Sequence, residues 1–132
     1  MATVTSDLDT RDTHISLASR YISPDDLDWT ATRFPGIDAK VLMRDDERGL
    51  MTALFRWAPG AVLPDHVHED IEQTYVLEGS LEDDEGVAKA GDFVWRPAGS
   101  RHDARSRDGA VTLSWFLRPN RFVGDEDAGG TA

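Results

Sequence analysis

Most of this chain is divided into short segments of β-type composition, and no helical pattern of useful length interrupts them. From Lys40 onward, apolar and β-branched runs alternate with turns that contain Gly, Pro or Asp. Leu50–Trp57 shows the two-residue period of a strand. Its shared apolar face carries Met51, Ala53, Phe55 and Trp57. Short strands separated by turn residues are typical of an all-β sandwich or barrel, and we expect that fold class here.

The remaining predicted strands follow from the turns between them. They are Val62–His68, Ile71–Leu77, Leu81–Asp83, Val87–Ala90, Phe93–Trp95, His102–Ser106 and Ala110–Leu117. The pair around Asp84-Glu85-Gly86 is typical of a hairpin, and the strand from Ile71 is predicted to end at Glu78-Gly79. We expect the backbone to adopt a positive φ at the turn glycines, which would explain why glycine is used there; they are Gly60, Gly79, Gly91 and Gly99.

The ends of the chain differ from this central part. A length of 132 residues with 39% hydrophobic residues is enough for one core and not for two. We predict a flexible N-terminal arm over residues 1–20, one domain over 21–122 and a disordered acidic tail over 123–132. Within the domain, Ser23 and Pro24 begin a short stretch that favours a single helical turn.

Charge excludes several classes of partner. The chain has 25 acidic and 14 basic side chains, which gives a formal net charge of -11. A nucleic-acid binder needs cations to displace the counterions of phosphates, so we expect no nucleic acid as a partner. An anionic membrane surface is disfavoured for the same reason. The chain has no apolar run of transmembrane length and no secretory signal, and a cytoplasmic location is predicted.

The histidines carry the chemistry of the sequence. Cysteine is absent, so any metal must bind nitrogen and oxygen donors. His66 and His68 are two residues apart on a predicted strand, which places both rings on one side of the sheet. Together with Glu72 and His102 they form a mixed set that suits one divalent iron, zinc, manganese, nickel, cobalt or copper ion. His14 lies in the polar arm and is interpreted as a solvent-exposed bystander.

The spacing of these residues resembles that of a known family. Gly60 to Gly79 fits G-x5-H-x-H-x3-E-x6-G, the first motif of the cupins, at every fixed position. Gly91 to Ser106 fits the second, G-x5-P-x-G-x2-H-x3-N, with serine in place of the final asparagine. The resemblance implies an all-β, single-domain antiparallel jelly-roll (cupin) barrel with the metal inside. It also implies the ligand set, which is His66, His68, Glu72 and His102.

Sequence around the motifs is similar to a branch of cupins with several functions. The branch includes acetylacetone-cleaving and dihydroxyacetophenone dioxygenases, and also the cupin part of zinc-dependent anti-sigma factors. It implies a non-haem Fe(II) dioxygenase that cleaves a carbon-carbon bond in a small neutral or enolisable carbonyl compound, without catalytic residues apart from the metal site. The alternatives are a non-catalytic sensor or ligand-binding cupin, which would need a separate partner chain, and a storage protein with a vestigial site.

The surroundings of the metal and the assembly can also be predicted. The inward face of the strands is expected to continue through Thr74, Val76, Ala104 and Ser106. Polar groups that could orient a carbonyl oxygen are Arg56, Gln73, Arg96 and Arg101. The acidic residues near the motifs are interpreted as a solvated surface; they are Glu69, Asp70, Glu78, Glu82, Asp83, Asp84 and Glu85. Exposed edge strands favour a homodimer.

Overall fold

The computed structural model describes residues 17–124, and the regular secondary structure of these residues is almost entirely β-strand. A short 3-10 turn at Pro24–Asp26 precedes them, with proline in its first turn as the sequence predicts. The strands are β1 (Thr30–Ala31), β2 (Ile37–Asp45), β3 (Leu50–Trp57), β4 (Val62–Val67), β5 (Glu72–Glu82), β6 (Val87–Lys89), β7 (Phe93–Arg96), β8 (Arg101–Arg105), β9 (Ala110–Phe116) and β10 (Arg121–Phe122). Within residues 17–124 no helix has the length and apolar character needed to cross a membrane.

All the strands pair antiparallel in one curled sheet. Its order is β1-β2-β3-β9-β5-β8-β4-β10, and β6 and β7 both pair with β5. The long strand β5 joins the two halves, because its first part pairs with β7 and β9 and its last residue with β8. The all-β antiparallel barrel expected from the sequence is confirmed. Its buried apolar core combines side chains of both halves, among them Phe55, Leu63, Val76 and Phe116.

One predicted strand boundary is wrong, and glycine explains why. The sequence predicts a strand end at Glu78-Gly79, yet β5 continues without a break to Glu82. A bulge between Val76 and Glu78 shifts the register against β9, and Gly79 follows it with φ +72°. A Cβ at Gly79 would lie 1.9 Å from the Gly109 carbonyl oxygen. Only glycine fits this close approach, so it bends the strand instead of ending it.

The two faces of β9 reverse a simple hydrophobic expectation. The apolar residues Val111, Leu113 and Trp115 share a face, as the alternation predicts, but they are only half-buried. Buried residues of the opposite face include Thr112 and Ser114. Small polar side chains therefore point into the barrel, where they line an interior cavity described below.

The predicted terminal segments lie largely outside the described residues. Residues 1–16 and 125–132 are outside the described range. They contain most of the predicted arm at 1–20, including His14, and most of the predicted tail at 123–132. The domain boundaries and the exposure of His14 remain predictions.

Candidate metal centre

Two neighbouring strands bring three histidines together. β4 and β8 are antiparallel, and their register places His66 directly opposite His102. His68 lies just past the end of β4, where its N–H donates to the Ser100 carbonyl at 2.9 Å and its carbonyl accepts from Gly99 N–H at 2.7 Å. These bonds keep the chain extended, so the two-residue period holds and both rings point to one side.

The three rings converge on a small space inside the barrel. Their candidate ligand atoms all lie within 4.8 Å of one another. The closest approach is 2.7 Å, between the Nε2 atoms of His68 and His102. His66 and His68 are buried, and His102 is half-buried. The group formed by His66, His68 and His102 could hold a metal ion.

Backbone carbonyls set the tautomers of two of these rings. His66 Nδ1 lies 2.7 Å from the Pro64 carbonyl oxygen, and His102 Nδ1 lies 2.6 Å from that of Asp103. A carbonyl only accepts, so both Nδ1 atoms carry the proton and both Nε2 atoms present a lone pair. Pro64 is in a bulge of β4, where a residue without an N–H is tolerated and its carbonyl is directed at the ring.

Burial keeps the rings neutral. Desolvation, together with the neighbouring histidines, lowers the pKa of His66 to about 4 and that of His68 to about 3. Desolvation and the Arg96 guanidinium also lower the pKa of His102. Near pH 7 all three rings are therefore neutral, and neutral imidazole is the charge state that a first-row divalent ion binds. This chemistry fits the metal that the sequence predicts.

Glu72, the fourth predicted ligand, lies beside this group but is not part of it. Its side chain is buried at the start of β5, directly opposite Arg96, and Arg96 Nε is 3.8 Å from its Oε1. Desolvation raises the pKa of Glu72 to about 7, against the opposing effects of Arg96, Asn120 and Thr74. The carboxylate lines the same interior cavity as His66 and His102.

That interior cavity is narrow and mixed in character. Its volume of about 30 Å³ has room for one or two waters and not for an organic substrate. The walls combine apolar side chains such as Phe55 and Phe116 with a pair of hydroxyl groups. Thr74 Oγ1 and Ser114 Oγ of this pair are 2.8 Å apart. Thr74 and Ala104, both predicted on the inward face, line it as expected, while Val76 and Ser106 are buried elsewhere in the core.

A larger cleft lies on the other side of one wall. It has a volume of about 430 Å³ and is lined in part by the exposed Phe93 and Trp95. Leu81, Arg96 and His102 line both spaces and so form the partition between them. Behind this partition Arg96 Nη1 donates to Asp83 Oδ2 at 2.5 Å, and Asp83 Oδ2 is also 3.6 Å from His102 Nδ1.

Several polar residues differ from their predicted surroundings. Asp83 was expected on a solvated surface, but it is buried because it accepts from Arg96 and from the backbone N–H groups of Glu85 and Gly86. Of the four candidates for orienting a carbonyl oxygen, Arg96 alone lines the interior cavity. Arg56 and Arg101 instead form exposed ion pairs with aspartates.

Asn120 is a buried polar residue that the motifs do not contain. It is 3% exposed and precedes β10, and its side chain lies against His68 and Glu72. In the sequence Asn120 is the single asparagine, and it is set among turn and charged residues. This pattern does not indicate a buried side chain, so the sequence analysis did not find Asn120.

These pKa shifts predict how the stability of the metal-free protein depends on pH. His66 and His68 have a reference pKa of 6.5 and lower folded values, so the unfolded chain takes up more protons and stability falls as pH drops below 6.5. Glu72 acts in the opposite sense between its folded pKa of about 7 and its reference value of 4.5. We expect a gradual loss of stability down to pH 4.5 and a steeper loss below it. Urea midpoints in the presence of a chelator measure this, and a constant midpoint from pH 7 to pH 4 would contradict it.

Three neutral imidazoles that converge inside an antiparallel β-barrel define a candidate metal-binding protein of the cupin type. The sequence profile of the ChrR cupin-like domain matches residues 18–120, and the chain belongs to this family. The cupin resemblance found in the two motifs is thereby confirmed. No curated protein matches the chain in a sequence comparison.

Solved structures share this fold. A candidate acetylacetone dioxygenase from Methylibium petroleiphilum PM1 is 24% identical, with 86% of each chain covered and a TM-score of 0.76. An acetylacetone dioxygenase from Acinetobacter johnsonii is 21% identical, with 85% of this chain and 83% of that chain covered and a TM-score of 0.75. A chain of the Rhodobacter sphaeroides SigE complex with the anti-sigma ChrR is 24% identical, with 70% and 49% covered and a TM-score of 0.60. At these identities the likeness establishes the fold.

Proposed function

We propose that this chain is a mononuclear metal-dependent dioxygenase that cleaves a carbon-carbon bond in a small carbonyl substrate. The observation that carries the proposal is the buried group of His66, His68 and His102, whose neutral rings lie within 4.8 Å of one another. The fold that the chain shares with acetylacetone dioxygenases supports the same class of chemistry. We assign Fe(II) as the metal, because iron favours oxygen chemistry among the ions that this donor set accepts.

The metal and the protein would have separate roles. A bound ion would supply Lewis acidity toward a carbonyl oxygen and redox chemistry toward dioxygen. The three histidines hold the ion, and Arg96, at the boundary of cleft and cavity, offers N–H donors to a carbonyl or enolate oxygen. Apolar walls such as Phe55 and Phe116 limit the entry of water. The net charge of -11 disfavours anionic substrates.

The outer cleft is large enough for a substrate, and it is lined by His102 and Arg96. Its aromatic side chains, Phe93 and Trp95, suit a planar diketone or aryl ketone. His102 lines both spaces, whereas Leu81 and Arg96 separate the cleft from His66, so binding of substrate next to an ion held by all three histidines requires the Leu81 and Arg96 side chains to move. We therefore propose that substrate enters from the cleft and displaces these two side chains.

Oxygen uptake tests the proposed activity. The protein is loaded with Fe(II) without oxygen, then mixed with aerated buffer and a set of 1,3-diketones and aryl ketones. We expect substrate-dependent oxygen consumption and carboxylic acid products from at least one compound. Absence of oxygen uptake across the set, from protein shown to contain iron, would overturn the proposal.

Glu72 is proposed as the fourth ligand, and a conservative substitution tests it. Glu72→Gln removes the charge and keeps the shape, and its buried position beside the histidines predicts a loss of Zn²⁺ affinity of about tenfold or more. Calorimetric titration of both proteins measures the difference. Unchanged affinity combined with lost activity would assign the Glu72 carboxylate to proton transfer instead of coordination.

A non-catalytic sensor or ligand-binding cupin is the second candidate function. The observation that favours it is the family match, since the profile is that of the ChrR cupin-like domain and one solved relative is an anti-sigma factor in complex with a sigma factor. Co-purification of a sigma-like protein with the tagged chain, from protein that binds metal but consumes no oxygen, would favour this function over the dioxygenase.

We also propose a homodimer that uses the free edge of β7. In the described part of the chain β7 pairs with β5 alone, and its side chains Phe93 and Trp95 are 52% and 56% exposed. A second copy that pairs with this short apolar edge would pack beside both aromatic rings, at the rim of the outer cleft, and leave the cleft open to substrate. Sedimentation should give twice the chain mass of 14.6 kDa for the natural protein and the single mass for Trp95→Glu. Val62→Glu, at an exposed position on β4, is the matched control, and a monomeric natural protein would contradict the dimer.

A further inference from the structure

His68 differs from the other two histidines in how its ring is held. His66 and His102 each direct Nδ1 at a backbone carbonyl, whereas Nδ1 of the fully buried His68 has no hydrogen-bond partner. Its Nε2 lies 2.7 Å from His102 Nε2. Because His102 carries its proton on Nδ1, His68 Nε2 is the donor in this contact. The ring of His68 is thus in the Nε2–H tautomer, with a bare Nδ1.

That tautomer is the wrong one for binding a metal through Nε2. A metal ion at Nε2 takes the place of the proton there, and a neutral ring must then carry its proton on Nδ1. The number of protons on the ring does not change, since one proton leaves Nε2 and one is bound at Nδ1. An N–H without an acceptor is costly in a buried position, so the metal-binding tautomer of His68 needs an acceptor next to Nδ1.

Asn120 is in the right place to provide it. β10 pairs antiparallel with β4, with Phe122 opposite His66 and Arg121 opposite Val67. One step further along the same register places Asn120 beside His68. The Asn120 side chain lies against that ring, inside the barrel.

The amide of Asn120 is buried and unused. The residue is 3% exposed, and neither its Nδ2 nor its Oδ1 has a hydrogen-bond partner. Three buried polar atoms without partners, two on Asn120 and one on His68, are therefore found in one small region. Buried polar groups are rarely left unpaired without a reason.

We propose that Asn120 is a positioning residue that holds His68 in the tautomer required for metal binding. Its Oδ1 accepts from His68 Nδ1–H when Nε2 faces the ion, and its Nδ2 then faces the Glu72 carboxylate. An amide serves both tautomers, since rotation of the amide presents Nδ2–H to a bare Nδ1. Aspartate serves only the metal-binding tautomer, and leucine serves neither. This inference rests on the metal site of the proposed function and not on its reaction.

The test uses Zn²⁺ as the probe and the full chain. Calorimetry measures Zn²⁺ affinity for the natural protein, Asn120→Leu and Asn120→Asp, and ¹⁵N NMR of labelled histidine measures the protonation of His68 Nδ1. We expect Asn120→Leu to lose about 10- to 100-fold in affinity, as is usual when the hydrogen-bond partner of a metal-bound histidine is removed. Asn120→Asp should stay within about threefold of the natural protein, because it keeps an acceptor next to His68 Nδ1. The aspartate substitution is repeated in the Glu72→Gln variant, which removes repulsion between two carboxylates, and the affinity of this double variant is compared with that of Glu72→Gln alone.

Ser106→Ala is the matched control, because Ser106 is buried and its hydroxyl donates to the Ser80 carbonyl, away from the histidines. Its Zn²⁺ affinity should be unchanged. Full affinity in Asn120→Leu, or equal losses in the leucine and aspartate variants, would overturn the proposal. If Asn120→Leu does not fold, the NMR of the natural protein decides, since an unprotonated His68 Nδ1 in the zinc form overturns it alone.

The outcomes separate this inference from the proposed activity. A natural protein without Zn²⁺ affinity would refute the metal site and the role of Asn120 together. The expected affinities in a protein that consumes no oxygen with Fe(II) would refute the dioxygenase and support the role of Asn120.

Discussion

Replacing His102 with alanine is expected to abolish useful metal binding, with a loss of Zn²⁺ affinity of at least about 100-fold, beyond what the loss of a ligand's hydrogen-bond partner costs. The reason is that two donors remain of a group of three whose nitrogen atoms lie within 4.8 Å of one another. His102 is the suitable position because it is half-buried, so its removal leaves a smaller cavity than removal of His68 would. Calorimetric titration and elemental analysis measure the loss.

Thermal stability provides a second measurement of the same change. Metal at 100 times its dissociation constant stabilises a folded protein by about 2.7 kcal/mol. The natural protein should therefore melt at a clearly higher temperature with metal than with a chelator, and His102→Ala should show no such difference. His14→Ala, a histidine substitution outside both motifs, is the control and should behave as the natural protein. Metal content and a thermal shift retained in His102→Ala would contradict the assignment.

The sequence was most informative where a two-residue period and a fixed spacing coincide. His66 and His68 share a side because strand geometry requires it, and His102 meets them because β8 pairs with β4 in the register His66–His102. The bounds of β3 were predicted correctly for a similar reason, since alternation and the Ala58-Pro59-Gly60 turn both act locally. Local features of this kind can be predicted directly from the order of the residues.

Features that depend on distant partners were not predictable in the same way. Asp83 belongs to an acidic run that resembles a solvated surface. It is buried because its carboxylate pairs with Arg96, which lies 13 residues further along the chain on β7. Asn120 is buried because β10 folds back on β4. β2, the edge strand β1 and β10 itself were absent from the predicted strands, because short or mixed segments acquire their structure from the strand beside them.

The second face of β9 illustrates a related limit. Alternation correctly separates Val111 and Trp115 from Thr112 and Ser114, but it does not say which set is inside. Hydrophobicity alone would bury the apolar set. The structure buries the small polar set, since the barrel interior holds a polar cavity with its own hydroxyl pair. A site inside a core reverses the usual rule for the strands that line it.

Replacing Arg96 with methionine is expected to destabilise the protein by about 3 kcal/mol, the lower end of the cost of removing one partner from a buried ion pair. The Arg96 and Asp83 side chains are 10% and 5% exposed, and Arg96 also lies 3.8 Å from the buried Glu72. Without the guanidinium two buried carboxylates remain near each other, and only Asp83 keeps backbone N–H donors. Urea unfolding with a chelator present measures the loss.

The pH dependence of this loss identifies its cause. The pKa of Glu72 is already about 7, and removal of Arg96, which lowers it, should raise it further. A carboxyl group whose folded pKa lies above its unfolded value lowers the stability of the protein as pH rises. The loss of stability in Arg96→Met should therefore be larger at pH 8 than at pH 5.5. Arg101→Met is the matched control, because Arg101 forms an exposed ion pair with Asp65 and should change stability little at either pH. A deficit for Arg96→Met that is equal at both pH values would show that lost packing, and not the charge partnership with Glu72, explains the role of Arg96.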